Sequence, residues 1–236
     1  MDTKVQNGHT EIVFILDQSG SMCNLTDDTI GGFNSMIEKN LDEVGKDVVT
    51  TVLFNNKSWV LHDRMNIHEV PRLTRETYCC SGCTALLDAV VEAIVRQEIV
   101  QRALPVPYKA AKVLFVITTD GVENASVNYT YEKVKSLIEF HRPEGWEFLF
   151  MGANIDAAAE AQRMGIAREC AANYVSDQRG TEVLYGSVGT AVACVRSAAP
   201  GASLSSEWRA PLDRDVESRG SSNGKSLLEK LTSVFR

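Results

Sequence analysis

Two apolar runs constrain this chain more than any other feature. Residues 11–16 and 112–118, within "EIVFILDQSGS" and "KVLFVITTDGVEN", are nearly continuous in β-branched and aliphatic side chains, and each leads into a carboxylate and a glycine-bearing turn. A strand apolar along its whole length has to be buried on both faces, which is the situation of a central strand in a parallel sheet. Amphipathic stretches alternate with such runs along the chain, so the sequence predicts an α/β fold. The expected form is a doubly wound, mostly parallel central sheet with helices on both faces.

The remaining elements follow from periodicity. A helix is expected from about Thr26, with Ile30, Phe33, Met36, Ile37 and Leu41 on its buried side; strands at 48–54 and 58–63 are joined by the turn "NNK", making the second an antiparallel edge strand. A helix beginning near Thr84 buries Leu86, Leu87, Val90, Val91, Ile94 and Val95. After residues 112–118 come a helix at 131–141, a strand at 146–151, a helix from about Asp156, a short strand at 173–175 and a helix at 181–197. Gly31-Gly32 costs about 1 kcal/mol per glycine relative to alanine in a helix, and close packing under the first strand's loop is the expected compensation. Trp59 and Trp146 read as core.

A chain of 236 residues is long enough for one sizeable domain and its core. Residues 1–10 read as a lead-in, 11–198 as the domain and 199–236 as a flexible tail, because "PGASLSSEWRAPLDRDVESRGSSNGK" is too polar to fold alone. Trp208 goes with that tail, and Leu227, Leu228, Leu231, Val234 and Phe235 share one side of a short amphipathic helix at its end. The formal net charge of −7 argues against nucleic acid or an anionic membrane as partner. Without a signal-like N-terminus or an apolar run near the ~20 residues that span a bilayer, the expected location is cytoplasmic. Free thiols are then expected at the six cysteines.

In a doubly wound sheet, ligands bind beyond the carboxyl ends of the strands where the strand order reverses. Asp17 and Asp120 end the two central strands, and Thr84 in "SGCTALLDA" precedes a helix that starts near the same crevice. Several chemistries fail for "DQSGS". A phosphate loop lacks its lysine, a nucleophile elbow lacks the glycine two residues before its serine, and an aspartyl-phosphate site lacks a second Asp where Ser19 stands. His9, His62, His68 and His141 all lie away from the strand ends that would form the crevice. A hard cation fits the all-oxygen set Asp17, Ser19, Ser21, Thr84 and Asp120, and Mg²⁺ leads, with Mn²⁺ or Ca²⁺ as alternatives. Neutral hydroxyls leave such an ion electrophilic, open to a carboxylate from another protein.

Asp-x-Ser-x-Ser at 17, 19 and 21, Thr84 before "ALLDA", and Asp120 in "TTDG" together resemble the metal-ion-dependent adhesion site of von Willebrand factor A (VWA) domains. The wording "SGSM", "GGFNSM", "ITTDGVENAS" and "GANIDA" is similar to cytoplasmic bacterial members of that family. The resemblance implies a Rossmann-like fold, direct metal contact by Ser19 and Ser21, direct or water-mediated contact by Thr84, and indirect support from Asp17 and Asp120. It also implies a protein-binding module rather than an enzyme, its ligand a Glu or Asp of a partner protein. A Mg²⁺-dependent phosphoester hydrolase is the competing class.

Four further features are read structurally. Asp88 sits in the first turns of its helix, where the dipole favours a carboxylate, and Glu123 and Asn124 read as solvated loop residues. Cys79, Cys80 and Cys83 lack a fourth ligand for structural zinc. Cys80-Ser-Gly-Cys83 has a redox-like spacing, and a disulfide there would constrain the loop that presents Thr84.

Overall fold

The computed structural model describes residues 8–40, 47–199 and 204–219. Leu41, the lead-in before residue 8 and the C-terminal amphipathic segment lie outside them. Six strands form one sheet in the order β3-β2-β1-β4-β5-β6, the α/β architecture expected from the sequence. β1 (Thr10–Asp17) and β4 (Lys112–Thr119) lie side by side at its centre, and every residue of β1 is buried. β2 (Val48–Phe54) and β5 (Trp146–Gly152) flank them in parallel; β3 (Ser58–Asn66) turns back antiparallel at one edge. β6 closes the other edge as Ala171–Asn173, two residues earlier than expected. The shift has a simple cause: it is Ala171 and Ala172, both buried, that pair with Phe150 and Met151, while Tyr174 already leaves the ladder.

Helices cover both faces. α1 (Thr26–Lys39) and α5 (Gln178–Ser197) pack against each other, and α2 (Leu86–Ala103) packs against α3 (Tyr131–His141), which in turn meets α4 (Ala157–Arg163). Phe33 ties one layer together, standing edge-on to Phe14 of β1 at 5.2 Å and to Tyr185 of α5 at 6.5 Å between ring centres. Gly32 explains how the helices come that close: a Cβ there would lie 2.3 Å from the Tyr185 ring. Gly31 has nothing within 4 Å, so the expected packing beneath the loop is instead a helix–helix contact made by Gly32 alone.

Two tryptophans are placed differently from expectation. Trp59, on the edge strand, is 39% exposed, whereas Trp208 is 1% exposed. The stretch expected to be a tail from 199 therefore contains a folded part. A 3₁₀ turn at Ser206–Arg209 runs into helix α6 at 210–219, which buries Leu204, Trp208 and Leu212 against the domain. At the amino end of β1, Glu11 is buried, its carboxylate accepting from Arg64 Nε at 3.0 Å and Nη2 at 2.7 Å, Gln97 Nε2 at 2.5 Å and Gln101 Nε2 at 2.9 Å. Among the described residues no helix is long and apolar enough to cross a membrane.

Candidate metal centre

The strand order reverses at the β1–β4 pair, since α1 returns towards β2 on one side and α3 towards β5 on the other. In a doubly wound sheet such a switch point, at the carboxyl ends of the strands, is where ligands bind. The register sets Leu16 against Thr118, which brings Asp17 alongside Thr119. Asp17 is fully buried, and its two oxygens are engaged: Oδ1 accepts from Ser19 N at 2.7 Å and Oδ2 from the Thr119 hydroxyl at 2.6 Å. The Tyr78 hydroxyl donates to its carbonyl. These bonds bend the chain so that residues 19 and 21 lie at that switch point. Ser19 Oγ and Ser21 Oγ lie 3.1 Å apart, and the Ser21 hydroxyl donates to the Asp120 carboxylate.

Thr84 arrives on a separate loop that is laced to the first. Gly20 N donates to Gly82 O at 3.0 Å and Ser81 N to Gln18 O at 2.8 Å. Gly82 has φ of +77°, a left-handed conformation that favours glycine, and a Cβ there would also strike Asn56 Oδ1 at 2.1 Å. Thr84 itself is buried. Its hydroxyl and that of Ser21 converge on Gly121, where an added Cβ would lie 3.8 Å from Thr84 Oγ1 and 3.6 Å from Ser21 Oγ. The structure thus joins Ser19, Ser21 and Asp120 by direct hydrogen bonds, places Thr84 across Gly121 from Ser21, and holds Asp17 behind them.

Other residues complete the arrangement. The first turn of α2 has amides without partners inside the helix and no side-chain cap of its own, Ala85 standing at the N-cap. The loop after β4 supplies the acceptors: Asn124 Oδ1 takes Thr84 N at 2.9 Å, Glu123 Oε2 takes Leu87 N at 3.0 Å, and Ser126 Oγ takes Asp88 N at 3.1 Å. Asn124 N also donates to Thr84 O at 3.1 Å. Asp88 answers by accepting from the backbone amides of Val127 at 3.1 Å, Asn128 at 3.1 Å and Tyr129 at 2.9 Å. Glu123 and Asn124, half-buried and exposed respectively, therefore also act as a cap supplied from another loop, and Asp88 binds that loop rather than merely complementing a dipole. The available signal was an uncapped helix start after "SGCTA".

Burial governs the electrostatics of the two carboxylates. Burial pushes the Asp17 carboxyl up, outweighing the hydrogen bonds from Thr119 and Ser19 that act against it, with Asp120 adding a smaller push in the same direction. Burial likewise pushes Asp120 up, against the Ser21 hydrogen bond. The donor set of two carboxylates and several hydroxyls fits a hard divalent cation. Among the described residues there is no cluster of three or more His, Cys, Asp or Glu suited to a metal, which sets this arrangement apart from nitrogen and sulfur sites. The histidines lie elsewhere: His62 Nδ1 is bonded to Thr51 Oγ1 within the sheet at 3.0 Å, and His141 stacks on Trp146.

All six cysteines are free. Cys80 is turned towards the first loop, its Sγ 3.2 Å from Thr26 Oγ1 and its carbonyl accepting from the Cys23 thiol at 3.6 Å. Cys83 is exposed, with its backbone N donating to Asn56 Oδ1 at 2.9 Å.

No protein-family model matches the sequence, and a search of curated proteins finds no match. Solved structures do resemble it. Proximal thread matrix protein 1 of the mussel byssus, in a structure with a zinc-occupied MIDAS motif, has a TM-score of 0.55 at 18% identity over 79% of this chain and 46% of that one. The PilB minor pilin of Streptococcus sanguinis gives a TM-score of 0.57 at 15% identity, over 81% of this chain and 63% of the pilin. The manganese-loaded TRAP protein of Plasmodium vivax gives 0.53 at 17% identity, over 75% of this chain and 72% of that one. The chain therefore spans less than two thirds of the first two proteins. These likenesses establish the fold, which is that of a von Willebrand factor A domain.

Proposed function

We propose that this chain is a metal-dependent protein-binding module, in which Ser19, Ser21 and Thr84 hold a divalent cation, Mg²⁺ before Mn²⁺ or Ca²⁺, and a Glu or Asp of a partner protein supplies the remaining anionic ligand. The observation that carries this reading is the convergence of the Ser21 and Thr84 hydroxyls over Gly121, with Asp120 bonded to Ser21. When bound, the ion supplies a Lewis-acidic point of attachment for a carboxylate. The chain's own residues arrange that point. Asp17 fixes the turn through Ser19 N and Thr119, Asp120 orients the Ser21 hydroxyl, and the cap from Asn124 holds Thr84 in place. Because the carboxylates are engaged by these hydroxyls and amides, the direct ligands are mainly neutral, and the site retains affinity for an external anion.

Zinc in the MIDAS motif of the mussel protein and manganese in the Plasmodium protein support a divalent cation of this kind. We read the module as non-catalytic, since His62 and His141 are engaged elsewhere, in the sheet and against Trp146, and the Ser21 hydroxyl is bonded to Ser19 and to the Asp120 carboxylate rather than to a histidine. The similarity of its motifs to cytoplasmic bacterial members supports that location and type.

Calorimetry with Mg²⁺ and Mn²⁺ tests the proposal. Saturable heat is expected for the wild type and none for Asp120→Ala; a silent wild type overturns it. A screen of phosphoesters with the same ions tests the competing class, and turnover that disappears in Asp17→Ala would replace the binding module by a hydrolase.

A further inference from the structure

We infer that Cys23 and Cys80 form a dithiol site that a hydroperoxide converts to a disulfide, fastening the Ser19–Ser21 loop to the loop that presents Thr84. Three contacts place the two thiols together. Cys23 Sγ donates to Cys80 O at 3.6 Å, and Thr26 Oγ1 touches Cys80 Sγ at 3.2 Å while donating to Cys23 O at 3.0 Å. Both line one open depression of about 420 Å³, shared with Thr26, Arg75 and Cys79, so a small oxidant reaches them from solvent.

The backbones on either side are already in register. Gly20 N to Gly82 O and Ser81 N to Gln18 O join the same two loops a few residues away, so the bridge closes between segments already held side by side. Cys79 is the nearest rival, but its thiol points back into its own turn, donating to Arg75 O at 2.9 Å. Cys83, the partner suggested by the spacing in the sequence, is exposed and has its backbone fixed to Asn56.

The chemistry balances with a hydroperoxide as the named oxidant. The sulfur of the exposed Cys23 attacks one peroxide oxygen, the O–O bond breaks, and with hydrogen peroxide a sulfenic acid and water result. Cys80 sulfur then attacks the sulfenic sulfur, the S–O bond breaks, and the departing hydroxide leaves as water with the Cys80 proton. Two thiols and one hydrogen peroxide give one disulfide and two waters; each sulfur loses one electron and each peroxide oxygen gains one.

This site is independent of whether a metal binds. The test treats the full chain with stoichiometric hydrogen peroxide and maps the product by mass spectrometry without reduction. The expected result is a cross-linked peptide pair containing Cys23 and Cys80, lighter by two hydrogens and restored by dithiothreitol, formed equally well in Cys83→Ser. Cys80→Ser is expected to leave Cys23 as a sulfenic acid captured by a dimedone probe. Hydrogen exchange at Gly20 and Ser81 is expected to slow by about 10-fold in the oxidised chain, as local opening of the two loops is suppressed. A Cys80–Cys83 or Cys79–Cys83 linkage, a disulfide between two chains, or unchanged exchange at both amides overturns the inference.

Discussion

Buried carboxylates in this protein have opposite electrostatic fates, and the difference separates the candidate site from the scaffold. At Asp17 and Asp120 burial prevails over the neighbouring hydroxyls and amides, so both are raised, the condition of groups that gain from a cation. At Glu11 burial is also the largest single influence and acts upward, but hydrogen bonds from His9, Arg64 and Gln97 together with the Arg64 charge outweigh it and bring the carboxyl from 4.5 down to about 2. A carboxyl lowered on folding stabilises the folded state above its unfolded value and ceases to do so as pH falls through its folded value. The contribution of Glu11, about 3 kcal/mol from that shift, is therefore fully present above about pH 4.5 and lost towards about pH 2. Glu11→Gln is expected to lower the urea midpoint at neutral pH, and the gap to the wild type should close as the pH approaches the lower value. A gap that stays constant across this range would show that Glu11 acts through packing alone.

The loop between β4 and α3 does the work of a helix cap and of a site strut at once. Asn124→Ala leaves the Thr84 amide without its acceptor, a loss of about 1–3 kcal/mol for a buried donor, while the backbone bond from Asn124 N to Thr84 O remains. Mg²⁺ affinity measured by calorimetry is expected to fall by about 10-fold, equivalent to about 1.4 kcal/mol, and Asn124→Asp, which keeps an acceptor, should recover most of it. Equal affinities in all three proteins would make the clamp irrelevant to the site. Much of this region was legible in the sequence: continuous apolar runs located β1 and β4, and carboxylates at their ends located Asp17 and Asp120. The cap was not, because it links residues some 40 positions apart and depends on how a loop folds back, which no local period records. The neighbourhood of Cys80 was hidden for the same reason: the contact of Thr26 with its sulfur and of Cys23 with its carbonyl comes from two loops brought side by side, which a spacing of three does not record.

At the scale of the whole molecule, the carboxyl end of the sheet is only one of the places where distant segments are fastened; another is α6. The polar composition of "PGASLSSEWRAPLDRDVESRG" conceals three large apolar residues spaced four apart, Leu204, Trp208 and Leu212. All three are buried, and the surrounding polar groups reinforce the docking. Trp208 Nε1 donates to Glu169 O at 3.2 Å and Arg209 Nη1 to Arg168 O at 2.8 Å, while Arg179 pairs with Asp215 at 3.2 Å and Arg219 with Asp177. Averaging over the stretch hid a pattern that a residue-by-residue reading would have found. The expected consequence is that Trp208→Ala costs about 3–5 kcal/mol, as for other large-to-small changes at fully buried aromatics. It should shift the chemical-denaturation midpoint of the single transition while leaving Mg²⁺ affinity at the far loops unchanged. An unaltered midpoint would mean that α6 adds nothing to the domain's stability, and a separate early transition would mean that it folds as its own unit; a single shifted transition places 204–219 inside the cooperative core.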